Sequence, residues 1–287
     1  MNKILITGAN GLLGRQTIKT FCEHHEVHAL VHRLPEDRVA NVVYHEIDLS
    51  KSWNTDQFPQ AADVIIHLAQ SSRFREFPDQ ALDVFNVNVD STARLLDYAK
   101  NAGVKKFFYA SSGGVYGSGK GAFDEDTPIN MNKSHGYYVG SKLCGEMLVQ
   151  TYASLMDVTV LRIFFMYGSG QQRSMLIPRL VDNVLEGRSI MLQGKNGIRI
   201  NPVHVTDAVA VIAKCLDMKG SRFINVAGPE VLSLREIAES ISLHLNKPAI
   251  FEALGGEASD LIADNLMMKS LLKKGLMPLR DGLKDII

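Results

Sequence analysis

The chain of 287 residues balances 31 Lys+Arg against 31 Asp+Glu, a formal net charge of +0, with 46% hydrophobic and 22% charged residues. That is the composition of an ordinary soluble globular protein of one or two domains, with enough apolar material for a full core. No basic excess points to nucleic acid, and no acidic tail is present.

The three cysteines, Cys22, Cys144 and Cys215, are odd in number and scattered. They form no metal spacing and no disulfide framework, which fits a reducing, cytoplasmic setting. Met1 to Ile6 runs directly into a strand pattern and then glycines, leaving no room for a signal peptide. No apolar run reaches the roughly 18 residues of a membrane span. His24, His25, His28 and His32 cluster without supporting cysteines or carboxylates, so they read as surface groups and no metal is expected. His67 and His204 sit in apolar strands and read as core histidines.

Lys3 to Thr7 is a short apolar run that predicts a strand buried on both faces. Thr7-Gly8-Ala9-Asn10-Gly11-Leu12-Leu13-Gly14 follows, then a helical stretch to about Glu23. Glycine turns tightly and lets a backbone approach a pyrophosphate. The helix behind it offers free N–H groups and a positive dipole end to that anion. Strand, glycines at 8, 11 and 14, then helix predict a dinucleotide loop. Gly8, Asn10, Gly11, Leu12, Leu13 and Gly14 would line it. A plain glycine-rich turn is the alternative.

Val27 to Val31 reads as the second strand. In a dinucleotide fold, an acid at its end binds the ribose 2′-hydroxyl of NAD, and a basic residue accommodates the 2′-phosphate of NADP. Here Val31, His32 and Arg33 stand at that end without an acid. Arg33 then either pairs with a phosphate or points to solvent. Val42 to Ile47 is a third strand, ending at Asp48-Leu49; Asp48 either reaches an adenine amino group or caps a turn. Asp63 to Ala69 is the fourth, followed by Gln70, Ser71, Ser72 and Arg73 at its carboxyl end. That edge is where ligands bind in open α/β sheets. Arg73 and Arg75 either hold a substrate phosphate there or are solvated.

Asn88 to Ala102 predicts an amphipathic helix with Leu95, Leu96 and Ala99 on one face, stopped by Gly103. Lys105 to Ala110 is the fifth strand, delivering Ser111-Ser112-Gly113-Gly114-Val115-Tyr116-Gly117 to the same edge. Next comes Gly136-Tyr137-Tyr138-Val139-Gly140-Ser141-Lys142. On a helix, Tyr138 and Lys142 lie four apart on one face. An ammonium beside a phenol favours the phenolate, so such a tyrosine can exchange a proton near neutral pH. Tyr137 has the wrong spacing and is assigned to packing or substrate contact. Cys144 falls on another helix face and is expected in the core.

Val158 to Ile163 is the sixth strand. Beyond it, Pro178 to Gly187, Asp207 to Leu216 and Ser233 to Leu245 read as helices, the last with the capping-box pair Ser233 and Glu236. Ile198 to Val205 reads as extended and Phe223 to Val226 as a short strand. Alternating strands and helices, with polar residues after the strands, predict a doubly wound parallel α/β sheet.

Together these segments resemble the extended short-chain dehydrogenase/reductase family, in its nucleotide-sugar epimerase, dehydratase and reductase branch. The likeness covers nearly the whole chain. It includes the glycine loop, the His67-Leu68-Ala69 strand ending, and Asn88-Val89-Asp90-Ser91-Thr92. It also includes Ser112 three residues before Val115, Tyr138 with Lys142, Leu161 to Gly168, and Asn201 to Asp207.

The resemblance implies a Rossmann sheet with a smaller, less regular C-terminal substrate-binding region. The dinucleotide domain would span 1–163, with 198–222 returning to it, and the substrate region 164–197 and 223–287. It implies Ser112, Tyr138 and Lys142 as the catalytic set, with Tyr138 as acid/base. Lys142 would hold the nicotinamide ribose and depress the Tyr138 pKa. The cofactor set would be the glycine loop with His32, Arg33, Asp48, Leu49, Leu68, Ala69, Gln70 and Asn88, besides Tyr138 and Lys142. Ser71, Arg73, Ser112, Gly113, Phe165 and Arg199 would face a nucleotide-sugar substrate. The cofactor would be NAD or NADP, with NADP favoured by Arg33, and a homodimer is left open.

The chain departs from that pattern in places. Gly113-Gly114 replaces the acidic pair of dehydratases, which argues against dehydration. Phe165 and Ile200 replace an Asn and an Arg that bind phosphate in many members, and Ser169 replaces a Pro. The expected activity is hydride transfer at a sugar carbon, as a 4-epimerase or a 4-keto reductase. Reduction of a non-sugar carbonyl, or non-catalytic NAD(P) binding, are the alternatives.

Overall fold

The computed structural model describes residues 1–119, 121–132 and 135–287. The first half runs β1 (Lys3–Thr7), α1 (Leu12–Phe21), β2 (Glu26–Val31), β3 (Val42–Glu46), β4 (Val64–His67), α2 (Ala81–Phe85), α3 (Ser91–Asn101), β5 (Lys106–Ser112), β6 (Ala122–Phe123) and α4 (Gly136–Thr151). The second runs β7 (Asp157–Ile163), α5 (Leu176–Glu186), β8 (Ile190–Gln193), β9 (Arg199–Ile200), α6 (Val205–Leu216), β10 (Arg222–Val226), β11 (Leu232–Ser233), α7 (Leu234–Leu245), β12 (Phe251–Leu254) and β13 (Ile262–Ala263). Short helices α8 (Leu266–Leu272) and α9 (Leu279–Gly282) follow.

The chain forms two compact units. One comprises Met1–Val115, Met131–Arg162 and Ile212–Ile224; the other Tyr116–Asn130, Ile163–Val211 and Asn225–Ile287. A seven-stranded sheet runs in the order β10-β7-β5-β4-β1-β2-β3. β1 pairs in parallel with both β2 and β4, and β2–β3 and β4–β5 are parallel too. This is the doubly wound α/β architecture that the alternating pattern predicts. The strand order reverses between β1 and β4, and the crevice beyond the carboxyl ends there is the ligand position of such sheets.

Ile4, Leu5, Ile6, Ile65 and Ile66 are wholly buried, as strands covered on both faces require. Leu95, Leu96 and Ala99 of α3 pack with Leu5, Ile65 and Phe107 in the core of the first unit. The second unit has its own core, built from Tyr167, Ile177, Val181, Ile237, Ile241 and Leu283. There α7 carries the predicted capping box: Ser233 Oγ accepts from Glu236 N, and Glu236 Oε2 accepts from Ser233 N at 2.8 Å.

Three segments differ from the sequence expectation. The helix expected from Asn88 enters earlier as α2 and passes through a π-helical turn at Asn86–Asp90 before α3. Only Arg199–Ile200 of the stretch expected to be extended over 198–205 is strand. Pro202 has no N–H for a ladder, and the Asn201 side chain bonds to both N and O of Ala263 instead. Cys144, expected in the core, is exposed.

Candidate active site

The glycine loop is shaped by close backbone approach. Gly8 has φ +64°, and a Cβ there would stand 2.7 Å from Ala69 N. A Cβ on Gly14 would stand 2.3 Å from Gly8 O, so the start of α1 sits directly on the loop. Gly11 caps α1 with no side-chain bond, and no acid lies in the first turn. Leu12 and Leu13 begin that helix, whose unsatisfied N–H groups and dipole favour a phosphate. These features fit a dinucleotide pyrophosphate at the switch point between β1 and β4.

Asn10 bonds from Nδ2 to the Arg33 carbonyl at 2.6 Å, tying the loop to the end of β2. Arg33 and His32 are both exposed there. His32 Nε2 lies 3.5 Å from Asp48 Oδ2, and Lys51 pairs with the same carboxylate at 3.1 Å. Asp48 also accepts from Ser50 N at 3.0 Å, so it caps its turn. Burial alone would raise the Asp48 carboxyl, but the bonds from Ser50 and Lys51 and the charge of His32 hold it at about 2. Leu49 beside it is buried. Register alone places Glu46 opposite Val31, and its carboxylate accepts from Leu34 N at 3.3 Å. An acid therefore does reach the end of β2, supplied by β3, where the sequence of β2 shows none.

At the end of β4, a directional chain of hydrogen bonds fixes the backbone. Thr7 Oγ1 accepts from Leu68 N and Ala69 N at 3.2 and 3.1 Å, so its proton goes to His67 Nδ1 at 2.7 Å. His67 Nε2 then donates to Thr92 Oγ1 at 3.0 Å, and Thr92 donates to Asn88 O at 2.8 Å. His67 is the satisfied core histidine the sequence suggests. Burial first, and the charge of Lys142 second, push it down to about 3, so it is neutral.

Asn88 is 1% exposed and spends both ends of its amide within the protein. Its Oδ1 accepts from Ser71 N at 2.9 Å, and its Nδ2 donates to Ser141 Oγ at 2.9 Å. Ser141 in turn donates to Tyr138 O at 2.7 Å. Ser71 also bonds to Asp83, and its hydroxyl accepts from Arg73 N at 3.0 Å. Arg73 is exposed.

α4 and the end of β5 bring Tyr138, Lys142 and Ser112 together. Tyr138 is half-buried and donates to Gln70 Oε1 at 3.0 Å, with the Ser112 hydroxyl acting on its phenol from nearby. Ser112 Oγ accepts from Gly114 N at 3.1 Å, while Gly113 is buried at the start of a 3₁₀ turn. Phe74 packs on the Tyr138 ring at 4.9 Å between centroids, and Phe77 stacks on Tyr137 at the same separation. Lys142 is 2% exposed, and its Nζ donates to Ala110 O at 2.9 Å.

The electrostatics differ from the expected lysine-assisted phenolate. Burial lowers Lys142 to about 7, with Glu146 acting the other way. Burial likewise raises Tyr138 to about 12, and the group opposing that rise is Ser112. Desolvation dominates both shifts, because each side chain loses water on its charged form.

Sequence reasoning missed the support behind this set. Glu146 forms a buried ion pair with Arg162, Nη2 to Oε2 at 2.9 Å and Nε to Oε1 at 3.2 Å, and Ser111 bonds to the same carboxylate. Two signals were available. Glu146 follows Lys142 by one helical turn, and an arginine inside the apolar strand β7 needs a buried partner.

In the second unit, Arg199 is committed to Asp260, with Nε to Oδ2 at 3.0 Å and its backbone N to Oδ1 at 3.0 Å. Phe165 packs against the core of that unit with φ +42°. A bulky side chain rarely adopts that backbone conformation, which asparagine tolerates far better. Ile200 is wholly buried. Among the described residues no group of His, Cys, Asp and Glu could hold a metal.

A family model described as "NAD dependent epimerase/dehydratase family" matches residues 4–227. The dTDP-glucose 4,6-dehydratase of Streptomyces griseus is 29% identical over 253 residues, covering 82% of this chain and 76% of its own. The UDP-glucuronate 4-epimerase of Thermodesulfobacterium geofontis is 26% identical over 256 residues, covering 86% and 79%. The solved structure of MoeE5 in complex with UDP-glucuronic acid and NAD superposes with a TM-score of 0.84 at 25% identity, covering 99% of this chain and 97% of that one. A match over residues 4–227, on a sheet whose switch point carries the glycine loop, makes the chain an NAD(P)-dependent enzyme of the extended short-chain type, belonging to the NAD dependent epimerase/dehydratase family.

Proposed function

We propose that this enzyme moves hydride at a sugar carbon of a nucleotide-activated sugar, as a 4-epimerase or a 4-keto reductase. The observation that carries the proposal is the convergence of Tyr138, Ser112 and Lys142 at the carboxyl edge of the sheet, beside the glycine loop. When bound, the dinucleotide supplies or accepts the hydride. Tyr138 gives a proton to the substrate oxygen in reduction and takes it in oxidation. Ser112 holds that oxygen by a hydrogen bond. Lys142 holds the nicotinamide ribose, and the start of α1 holds the pyrophosphate. Ser71, Arg73 and Gly113 are the proposed substrate residues of the first unit, and Phe165 and Arg199 those of the second. Gly113-Gly114 after Ser112 supplies no acid for elimination of water.

A panel of nucleotide sugars with NAD or NADP, followed by product NMR, tests the proposal. Inversion without net cofactor change identifies the epimerase; NADPH consumption with a 4-keto sugar identifies the reductase. A second reading, reduction of a carbonyl outside sugar chemistry, is favoured by Arg199 being paired to Asp260 and by Phe165 and Ile200 packing into the unit core. Turnover of simple ketones, with none of the nucleotide sugars, would select it.

For the cofactor, we propose a preference for NADP(H). The support is the exposed Arg33, whose carbonyl Asn10 holds next to the glycine loop. A charge-assisted phosphate contact contributes roughly 1.5–3 kcal/mol. Glu46 opposes it from β3. Calorimetry on Arg33→Ala and Glu46→Gln separates the two charges: the first should erase the preference and the second enlarge it.

A further inference from the structure

The sequence sets Gln70 against the cofactor, yet its side chain meets the Tyr138 phenol. The contact is built rather than incidental. On one side, Ala69 N is held by Thr7 Oγ1, and Ser71 N by Asn88 Oδ1 at 2.9 Å. On the other, Asn88 Nδ2 reaches Ser141 Oγ, which donates to the Tyr138 carbonyl at 2.7 Å. One buried asparagine thus fixes the backbone next to Gln70 and, through Ser141, the backbone of Tyr138 itself. Phe74 fixes the phenol ring from its face.

We propose that Gln70 is a positioning residue for the Tyr138 proton, its amide oxygen holding the phenol and its amide N–H, after rotation, holding the phenolate. The proposal rests on Tyr138 as the acid/base group. When Tyr138 protonates a substrate oxygen, its O–H bond breaks and an O–H bond forms on the substrate. The electron pair stays on Tyr138 as phenolate. Gln70 Oε1 then faces an anion. Turning the terminal amide brings Nε2–H to the same place, and a hydrogen bond to a charged acceptor is roughly twice as strong as a neutral one. Glutamine carries donor and acceptor at equal reach, so one side chain serves both protonation states. A carboxylate would serve only the phenol.

Among the described residues, the titratable groups near Tyr138 include Tyr137, Lys142 and Glu146 on its own helix, Tyr109 on β5, and Arg73, Arg75 and Asp83 in the segment after β4. Substitution at Gln70 leaves all of them in place. Gln70 is exposed, so its variants should fold.

The test is the ultraviolet titration of tyrosinate, with Tyr138 isolated as the difference between wild type and Tyr138→Phe. Gln70→Met keeps the length without the amide, and Gln70→Glu keeps the acceptor without the donor. Each is titrated against its own double variant with Tyr138→Phe. Gln70→Met should move the Tyr138 ionisation up by roughly 0.5–1 pH unit. Gln70→Glu should move it further, since it adds a like charge. The matching limb of the pH–rate profile should follow both. An unmoved Tyr138 ionisation in Gln70→Glu overturns the proposal, and so does an effect confined to cofactor affinity. Full turnover by Tyr138→Phe is a separate failure, of the acid/base assignment, and removes the catalytic role while the titration still reads the contact.

Discussion

At the residue scale, two side chains carry the sharpest expectations. Tyr138→Phe removes the proton that the proposed mechanism moves while keeping the ring that packs against Phe74. Turnover should fall by roughly 10²–10⁴. Cofactor affinity should stay within about tenfold, a change of about 1.4 kcal/mol. Steady-state rates with calorimetry on the same preparation check both halves. His67 governs stability in acid. Its folded pKa of about 3 lies below the ordinary histidine value of 6.5, so the unfolded chain binds the extra proton between those values. Its stabilising contribution is complete above 6.5 and is lost as pH falls toward 3. The slope within that window is about 1.4 kcal/mol per pH unit. Urea unfolding at several acid pH values should show this slope, and His67→Gln should flatten it.

At the element scale, the proposed catalytic set depends on how α4 lies on β5. Gly145 is the contact point: a Cβ there would stand 2.0 Å from the Tyr109 hydroxyl and 2.4 Å from its ring. Tyr109 is 1% exposed and has no room to withdraw. Gly145→Ala should therefore push the helix outward, carrying Tyr138 and Lys142 with it. Overpacking of this kind costs about 1–3 kcal/mol. Thermal unfolding should show the loss, and kcat should drop more than cofactor affinity. The Glu146–Arg162 pair holds the same helix from β7. Removing one partner strands a buried charge, which destabilises more than the intact pair stabilises.

At the scale of the whole molecule, the first unit leaves apolar surface on α2 and α4. Leu82 is 76% exposed and Met147 63% exposed, with Phe85 and Cys144 exposed as well. Isolated exposed residues of this kind are ordinary, though here they lie on two helices, α2 and α4, that pack together. We propose α2 and α4 as the contact of a homodimer. Sedimentation of Leu82→Asp and Met147→Asp should then give monomer where the unmodified chain gives dimer. A monomer in every case removes the assignment.

The sequence by itself determined the sheet and its order of chemistry. Alternating apolar runs predict β1 to β5, and the glycines at 8, 11 and 14 mark the turn into α1. Those signals are local, so a linear reading finds them. Ser112, Tyr138 and Lys142 can be proposed from the sequence because helical spacing and a resemblance single them out. Only the tertiary structure decided the rest. β8 pairs with β12 across sixty residues of chain, Ile190 opposite Phe251, so neither is marked by its own short sequence. Glu46 reaches the end of β2 by register, not by proximity in sequence. Asn88 looks in sequence like a cofactor residue, and folding turns it inward to join Ser71 to Ser141. The protonation of Tyr138 and Lys142 was decided the same way. Spacing supplies a neighbouring charge, but burial sets the cost of ionising, and burial exists only once the chain has folded.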